Sequence, residues 1–318
     1  MSVALVELVR SGFVEGRHHG SLVVLDADGG VELALGDVDA PVFPRSSNKP
    51  AQAVGLLRAG YAAATVAQLT IATASHEGEP AHLELAATVL AAAGLGEDDL
   101  RCPPDLPAGP DARQAVLAAG GGPRRLAMNC SGKHAAMLAT CVARGWSRPD
   151  YLDPGHPLQQ QLGATVAELA GETVTSTGTD GCGAPIFGLT LAALARTFAA
   201  LTTAATGTPE RRVADAARAH PFLLSGTGRE DLTLMTAVPG LLCKAGAEGV
   251  HAGALPDGRA FALKIDDGAA RARDLVTATV LRDVLGVVDD GTLSALAEQP
   301  LTGGDRRVGE VRAAPGLV

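Results

Sequence analysis

Only four lysines, Lys49, Lys133, Lys244 and Lys264, stand among 22 arginines in this 318-residue chain. Arginine supplies positive charge but does not give up its proton. A lysine kept against that background is a candidate for base chemistry or for lone-pair donation. Chance retention explains any single one equally well, yet three of the four fall in or beside segments with other reactive groups.

Lys49 closes a Ser-x-x-Lys sequence within Phe43-Pro44-Arg45-Ser46-Ser47-Asn48-Lys49-Pro50. A serine hydroxyl needs an adjacent base to act as a nucleophile at neutral pH. Three-residue spacing at a helix start sets Ser46 and Lys49 on one face. The helix N-terminus there favours an alkoxide and depresses the lysine pKa. Pro50 disfavours helical backbone at Lys49, which places the pair in the lead-in turn. By itself the tetrapeptide is a weak signal, since a capping serine with a solvated lysine is commoner.

Ser75-His76-Glu77-Gly78-Glu79 follows an apolar run, where small polar residues at an element end often serve function. A serine cap with solvated neighbours is the plainer meaning. Adjacent residues on extended backbone point opposite ways, which argues against a Ser75–His76 pair. Two thiols stand in glycine-containing turns, Cys130 in Asn129-Cys130-Ser131-Gly132-Lys133-His134 and Cys182 in Asp180-Gly181-Cys182-Gly183. Two thiolates can hold zinc. Neither belongs to a Cys-x-x-Cys pair, and buried free thiols are as good a reading. Cys102, Cys141 and Cys243 lack such context. Lys264, in Ala262-Leu263-Lys264-Ile265-Asp266-Asp267, lies within an apolar strand pattern. Pointing inward it would be desolvated toward the range of a general base; pointing outward it would pair with the aspartates.

The elements that must position these groups read as strands at both ends with helices between. Residues 3–9, 20–26 and 31–36 are short apolar or alternating runs, the last two joined at Asp28-Gly29-Gly30 as a hairpin. Helical spacing follows Pro50 and recurs over 80–93, 133–144, 157–170, 184–200, 208–219 and 269–285. Residues 69–74 and 125–129 are predicted as strands, as are 242–253 and 259–265, joined at Pro256-Asp257-Gly258. The pattern predicts an α+β (mixed α/β) fold, one domain over 1–318, whose antiparallel or mixed sheet draws on both termini.

Composition bounds the partners. The net charge of −9 argues against nucleic acid and against a polybasic membrane contact. No leader pattern opens the sequence, and its apolar runs are too short to span a bilayer, which predicts a cytoplasmic protein with reduced cysteines.

Taken in order, FPRSSNKPAQA (43–53), ASHEGEP (74–80), NCSGKHAAML (129–138), YLDPGHPLQ (151–159), DGCGAP (180–185), HPFLLSGTGRED (220–231), KAGAEGV (244–250) and ALKIDDGAARA (262–272) resemble the asparaginase II family of rhizobial type. That resemblance implies a fold similar to serine β-lactamases and glutaminases, a homodimer, and hydrolysis of L-asparagine by Ser-Lys chemistry. It implies two tandems, Ser46 with Lys49 and Ser75 with Lys264. It also implies a zinc ion held by Cys130, Lys133 and Cys182, with a neutral lysine ligand. Arg45 is expected to hold the substrate carboxylate and Asp180 its ammonium, with His134 in the same pocket. Glu77 and Glu230 depart from the pattern, at positions where serine and an apolar residue are expected. Against the asparaginase expectation stand a glutaminase, a penicillin-type acyl hydrolase (which lacks its Lys-Thr-Gly strand here), and a non-catalytic zinc or thiol sensor of amino acids.

Overall fold

The computed structural model describes residues 1–318. Three N-terminal strands come first: β1 (Val3–Arg10), β2 (Phe13–Leu25) and β3 (Val31–Leu35). Two short strands, β4 (Thr177–Thr179) and β5 (Pro185–Phe187), pair in mid-chain. Later strands are β6 (Leu242–Gly246), β7 (Val250–Ala254), β8 (Ala260–Ile265), β9 (Gln299–Gly303) and β10 (Arg306–Ala313). The main sheet has the order β6-β7-β8-β2-β1-β10-β9, with β3 beside β2, and every pairing is antiparallel. The two termini therefore share one sheet, as the strand pattern predicts. Residues 22–25 of β2 are fully buried, which fits a central strand covered on both faces.

Helices α1 (Lys49–Arg58), α2 (Val66–Ala72), α3 (Pro80–Ala92), α4 (Pro110–Ala118), α5 (Ser131–Arg144) and α6 (Pro157–Ala170) fill the first half. The second half adds α7 (Leu191–Thr203), α8 (Pro209–Ala219), α9 (Pro221–Leu224), α10 (Glu230–Ala237), α11 (Ala270–Thr279) and α12 (Thr292–Ala297). α7 lies on β2, β7 and β8, α6 and α8 pack against it, and α1 packs against both of these. Proline in the first turn of α1, α3, α4, α6 and α8 starts each helix where its missing N–H costs nothing. No helix is long and apolar enough to cross a membrane.

Local pattern misleads in four places. Residues 69–74 belong mostly to helix α2, not a strand. Thr65 caps that helix by accepting from Gln68 N, and Thr70 Oγ1 donates to Val66 O and Ala216 O. Short apolar runs do not distinguish the two states. Residues 125–129 are turns, and 242–253 are two strands separated by the turn at 247–249. The helix predicted over 184–200 begins at Leu191, after β5, with Thr190 as its cap. The C-terminal pair β9–β10 has no counterpart in the sequence reading.

One cluster of buried apolar side chains runs from Leu5 to Leu317. Among the largest fully buried side chains, Lys49, Lys133 and Lys244 stand beside Tyr151 and Phe198. Three desolvated amines are the most unusual feature of this interior, because lysine is almost never buried without partners.

Candidate active site

Each buried amine has its partners. Residues Arg45–Asn48 form a 3-10 turn that runs directly into α1. Lys49 adopts helical backbone (φ −61°, ψ −36°) despite Pro50, so the local preference against it is overridden. Its side chain shows the reason. Nζ bonds Ala74 O at 2.6 Å, Ser75 Oγ at 2.6 Å and Cys130 Sγ at 2.9 Å. Burial lowers the Lys49 pKa, and the nearby Lys133 and Lys244 charges add to that against the opposing pull of Cys130. When neutral, the amine offers its lone pair, and the direction of a serine contact can reverse so that the hydroxyl donates.

Ser75 lies on extended backbone after α2. Its N–H bonds Leu224 O, the His76 N–H bonds Asn129 O, and the Glu77 N–H bonds Ser225 O. These alternating bonds clamp the strand-like segment between two loops. His76 accepts from Gly78 N at Nδ1, so Nε2–H donates to Ser131 Oγ at 3.0 Å and not to Ser75. Burial drives the His76 pKa well down, keeping that tautomer neutral.

Ser46 is half-buried; its carbonyl accepts from the Lys49 N–H, but its hydroxyl makes no hydrogen bond to Lys49 Nζ. Its neighbour Ser47 donates to Lys244 O at 2.8 Å. This docks the 3-10 turn on β6, and only glycine fits at the contact. A Cβ on Gly246 would lie 2.4 Å from Pro44 O and 3.0 Å from Ser47 Oγ.

The second cluster surrounds the two thiols. Lys133 Nζ donates to Cys182 Sγ at 3.4 Å, and Cys182 Sγ lies 3.6 Å from Asp180 Oδ2. The neighbouring Cys130 lowers the Cys182 pKa against the effect of burial, while Cys182 and burial together raise that of Cys130. His134 Nδ1 meets Tyr151 Oη at 2.6 Å, while the buried Nε2 completes no hydrogen bond. Burial lowers the His134 pKa, with Cys182 the largest opposing influence. Two sulfurs, an amine and a free imidazole nitrogen are a donor set that suits zinc. In the metal-free arrangement burial works against the Lys133 proton, but Cys182 and Cys130 outweigh it and raise the pKa. Ligation would require that proton to leave.

Arg45 Nε donates to Asp180 Oδ1 at 2.8 Å, joining two residues expected at the substrate. Tight bonds from Asp180 N to Ala184 O and from Gly183 N to Asp180 O fix that turn. These contacts form two groups, Lys49 with Ser75 and Cys130, and Arg45 with Asp180, Cys182 and Lys133, with Ser46 next to Arg45. No hydrogen bond joins Lys264 to Ser75. Lys264 is half-buried opposite Ser21 on β2, and its Nζ donates to Ile265 O at 2.5 Å. Burial lowers its pKa against the aspartates and Glu248 nearby.

The residue that sequence reasoning passed over is Lys244. It is fully buried with Asp231, Nζ to Oδ2 at 2.7 Å. The scarcity of lysine is the signal that could have singled it out. Asp231, Cys243 and His251 lie close enough to ligate a metal, but the Lys244 ammonium already supplies the cation there. Both departures from the family pattern are paired as well. Glu77 bonds Arg229 at 3.0 Å, and Glu230 bonds Arg273. A roomier cavity of about 580 Å³ lies away from these groups, between the loop before α2 and α8.

A mixed α/β fold carrying hydroxyls, desolvated amines and paired thiols is of the kind that performs amide hydrolysis. The family model described as L-asparaginase II matches residues 6–313, nearly the whole sequence. The chain belongs to the L-asparaginase II family. No curated protein matches it. Among solved structures it is similar to Mglu in its native form, at 15% identity and TM-score 0.47, covering 84% of this chain and 64% of that one. It thus spans less than two thirds of Mglu. A β-lactamase from Mycobacterium bovis is similar at 17% identity and TM-score 0.47, covering 83% of this chain and 94% of that one.

Proposed function

We propose that the chain hydrolyses the side-chain amide of L-asparagine to L-aspartate and ammonia through an acyl-enzyme. The observation that carries this reading is the fully buried Lys49 amine, 2.6 Å from Ser75 Oγ and three residues after Ser46. Arg45, adjacent to Ser46, is suited to the substrate carboxylate. Ser46 is the more exposed hydroxyl and the one next to that anchor, so we assign it as nucleophile with Lys49 as base. In its neutral form Lys49 can keep its two N–H groups on Ala74 O and Cys130 Sγ, which turns the lone pair to a serine hydroxyl. Closing the gap to Ser46 is a tightening of the kind that substrate binding brings.

The steps balance. Ser46 Oγ bonds to the amide carbon as its proton passes to Lys49, and the C–N bond breaks as that proton returns to the departing ammonia. Water then attacks the ester, Lys49 takes its proton, and Ser46 leaves as the hydroxyl. Zinc, held by Cys130, Lys133 and Cys182, would supply fixed positive charge that orients the substrate. Lys264 would act from the rim, through the field it adds near Glu248, and not as a partner of Ser75. The homodimer expected from the resemblance is carried forward as a proposal, checked by light scattering.

Ammonia release from L-asparagine and L-glutamine, with and without a chelator, tests the substrate and the metal together. Mass analysis of a quenched reaction locates the acyl group. An adduct on Ser75 would exchange the roles of the two serines, and no ammonia from either amide would end the reading.

A further inference from the structure

Three residues other than glycine have positive φ: Ser11, Arg45 and Glu248. Two of the three meet. Arg45 (φ 51°) and Glu248 (φ 59°) form an ion pair, with Nη1 3.5 Å from Oε1. Left-handed backbone is disfavoured for a residue bearing a Cβ, and glycine, asparagine or aspartate is the usual occupant. Such strain concentrates at ligand clamps, where the surrounding structure enforces it.

Glu248 occupies the turn between β6 and β7, followed by Gly249 (φ 71°). Its side chain lies over Gly268, where a Cβ would come within 3.3 Å of both Glu248 Cα and Oε2. Glu248 thus stands two residues beyond Gly246, the end of the strand on which the 3-10 turn carrying Ser46 is docked.

Arg45 is held by two carboxylates of different kinds. Asp180 is 2.8 Å away with its side chain 11% exposed, its Oδ1 held by Arg45 and its Oδ2 facing Cys182 Sγ at 3.6 Å. Glu248 is 3.5 Å away with its side chain 68% exposed, a loose pair that solvent screens. An incoming α-carboxylate can replace Glu248 at Nη1 without disturbing Asp180. Once displaced, Glu248 is a free carboxylate beside the bound anion.

We propose that Glu248 is a specificity-determining residue: it yields Arg45 to the substrate carboxylate and receives the substrate α-ammonium. The site then selects free α-amino acid amides over amides whose amino group is missing or blocked. This rests on the asparaginase reading and moves the ammonium contact from the little-exposed Asp180, already paired with Arg45, to the exposed Glu248.

The test compares L-asparagine with succinamic acid, which has the same skeleton without the amino group, in wild type, Glu248→Gln and Glu248→Asp. Glu248→Gln is expected to raise KM for L-asparagine about tenfold, the worth of one charged hydrogen bond, with kcat within about twofold. KM for succinamic acid stays level or falls, and Glu248→Asp recovers part of the preference. Equal change on both substrates, or none on either, overturns the assignment. Calorimetric binding of L-aspartate and succinate reads the same selectivity without turnover. Wild type that cleaves no asparagine would end the asparaginase reading, while this binding comparison still decides Glu248: loss of preference for L-aspartate in Glu248→Gln supports it, and an unchanged preference overturns it.

Discussion

Replacing Lys244 with methionine removes one half of an ion pair in which both side chains are fully buried and 2.7 Å apart. The methionine fills similar volume, so the cost comes mainly from the carboxylate left behind. Breaking a buried pair from one side costs about 3–5 kcal/mol. Asp231 still accepts from Ala245 N at 2.8 Å and has His251 at 3.2 Å, which points to the lower end. An unfolding entropy of about 2.1 cal/mol/K per residue gives roughly 0.67 kcal/mol/K for a chain of this length, so about 3 kcal/mol lowers Tm by about 4–5 °C. Calorimetry at pH 7 on wild type, Lys244→Met, Asp231→Asn and the double variant measures the cost and the coupling. The double variant should recover about 1–3 kcal/mol relative to additivity.

The pH dependence has a definite sign. Burial would raise the Asp231 pKa, but Lys244 and His251 outweigh it and hold the group well below the usual carboxylate range. A depressed carboxylate stabilises the fold above its unfolded value, near about 4, and that contribution is lost as pH falls toward the folded value. In Lys244→Met the uncompensated carboxylate is relieved by protonation. The gap between wild type and variant should therefore narrow below about pH 4. A variant melting within about 1 °C of wild type at pH 7 would refute the reasoning, because about 1 °C is under 1 kcal/mol here.

Lys49→Met should lower ammonia release by about 10²- to 10⁴-fold, the usual worth of a general base, measured on protein shown folded by circular dichroism. Because burial lowers the Lys49 pKa, kcat/KM should rise with pH and level off below the ordinary lysine value of about 10.4, and a rise continuing past it would count against a neutral base. Gly246→Ala puts a Cβ 2.4 Å from Pro44 O, so the turn bearing Ser46 must shift. Its kcat/KM should fall about 10²-fold, and undiminished activity would show that the docking does not position Ser46. Cys182→Ser removes the thiolate, and metal analysis of the purified protein should find its zinc content cut about tenfold or more.

Some of the fold could be read locally because its signals are local. The hairpin of β2 and β3 follows from alternation around Asp28-Gly29-Gly30, and α3, α6 and α8 follow from proline starts with helical spacing. The run at 69–74 could not be read that way. Six residues, four apolar and two threonine, suit either state, and contacts with α8 and the Thr65 cap choose helix. The strand predicted over 242–253 hid a turn because Ala247-Glu248-Gly249 lacks the usual Asn-Gly signal, and its left-handed glutamate is held by Arg45 far away in sequence.

The sequence by itself determined the reactive groups: scarce lysines, two thiols in glycine turns, and ordered motifs that together mark the family. Which hydroxyl meets which amine was decided only by tertiary structure. Lys49 and Ser75 touch because the first turn of α1 and the segment after α2 pack side by side, 26 residues apart. Lys264 stays at the rim because antiparallel register sets it opposite Ser21. Desolvation, which makes an amine a base, belongs to packing and to no residue alone, and so no spacing rule could supply it.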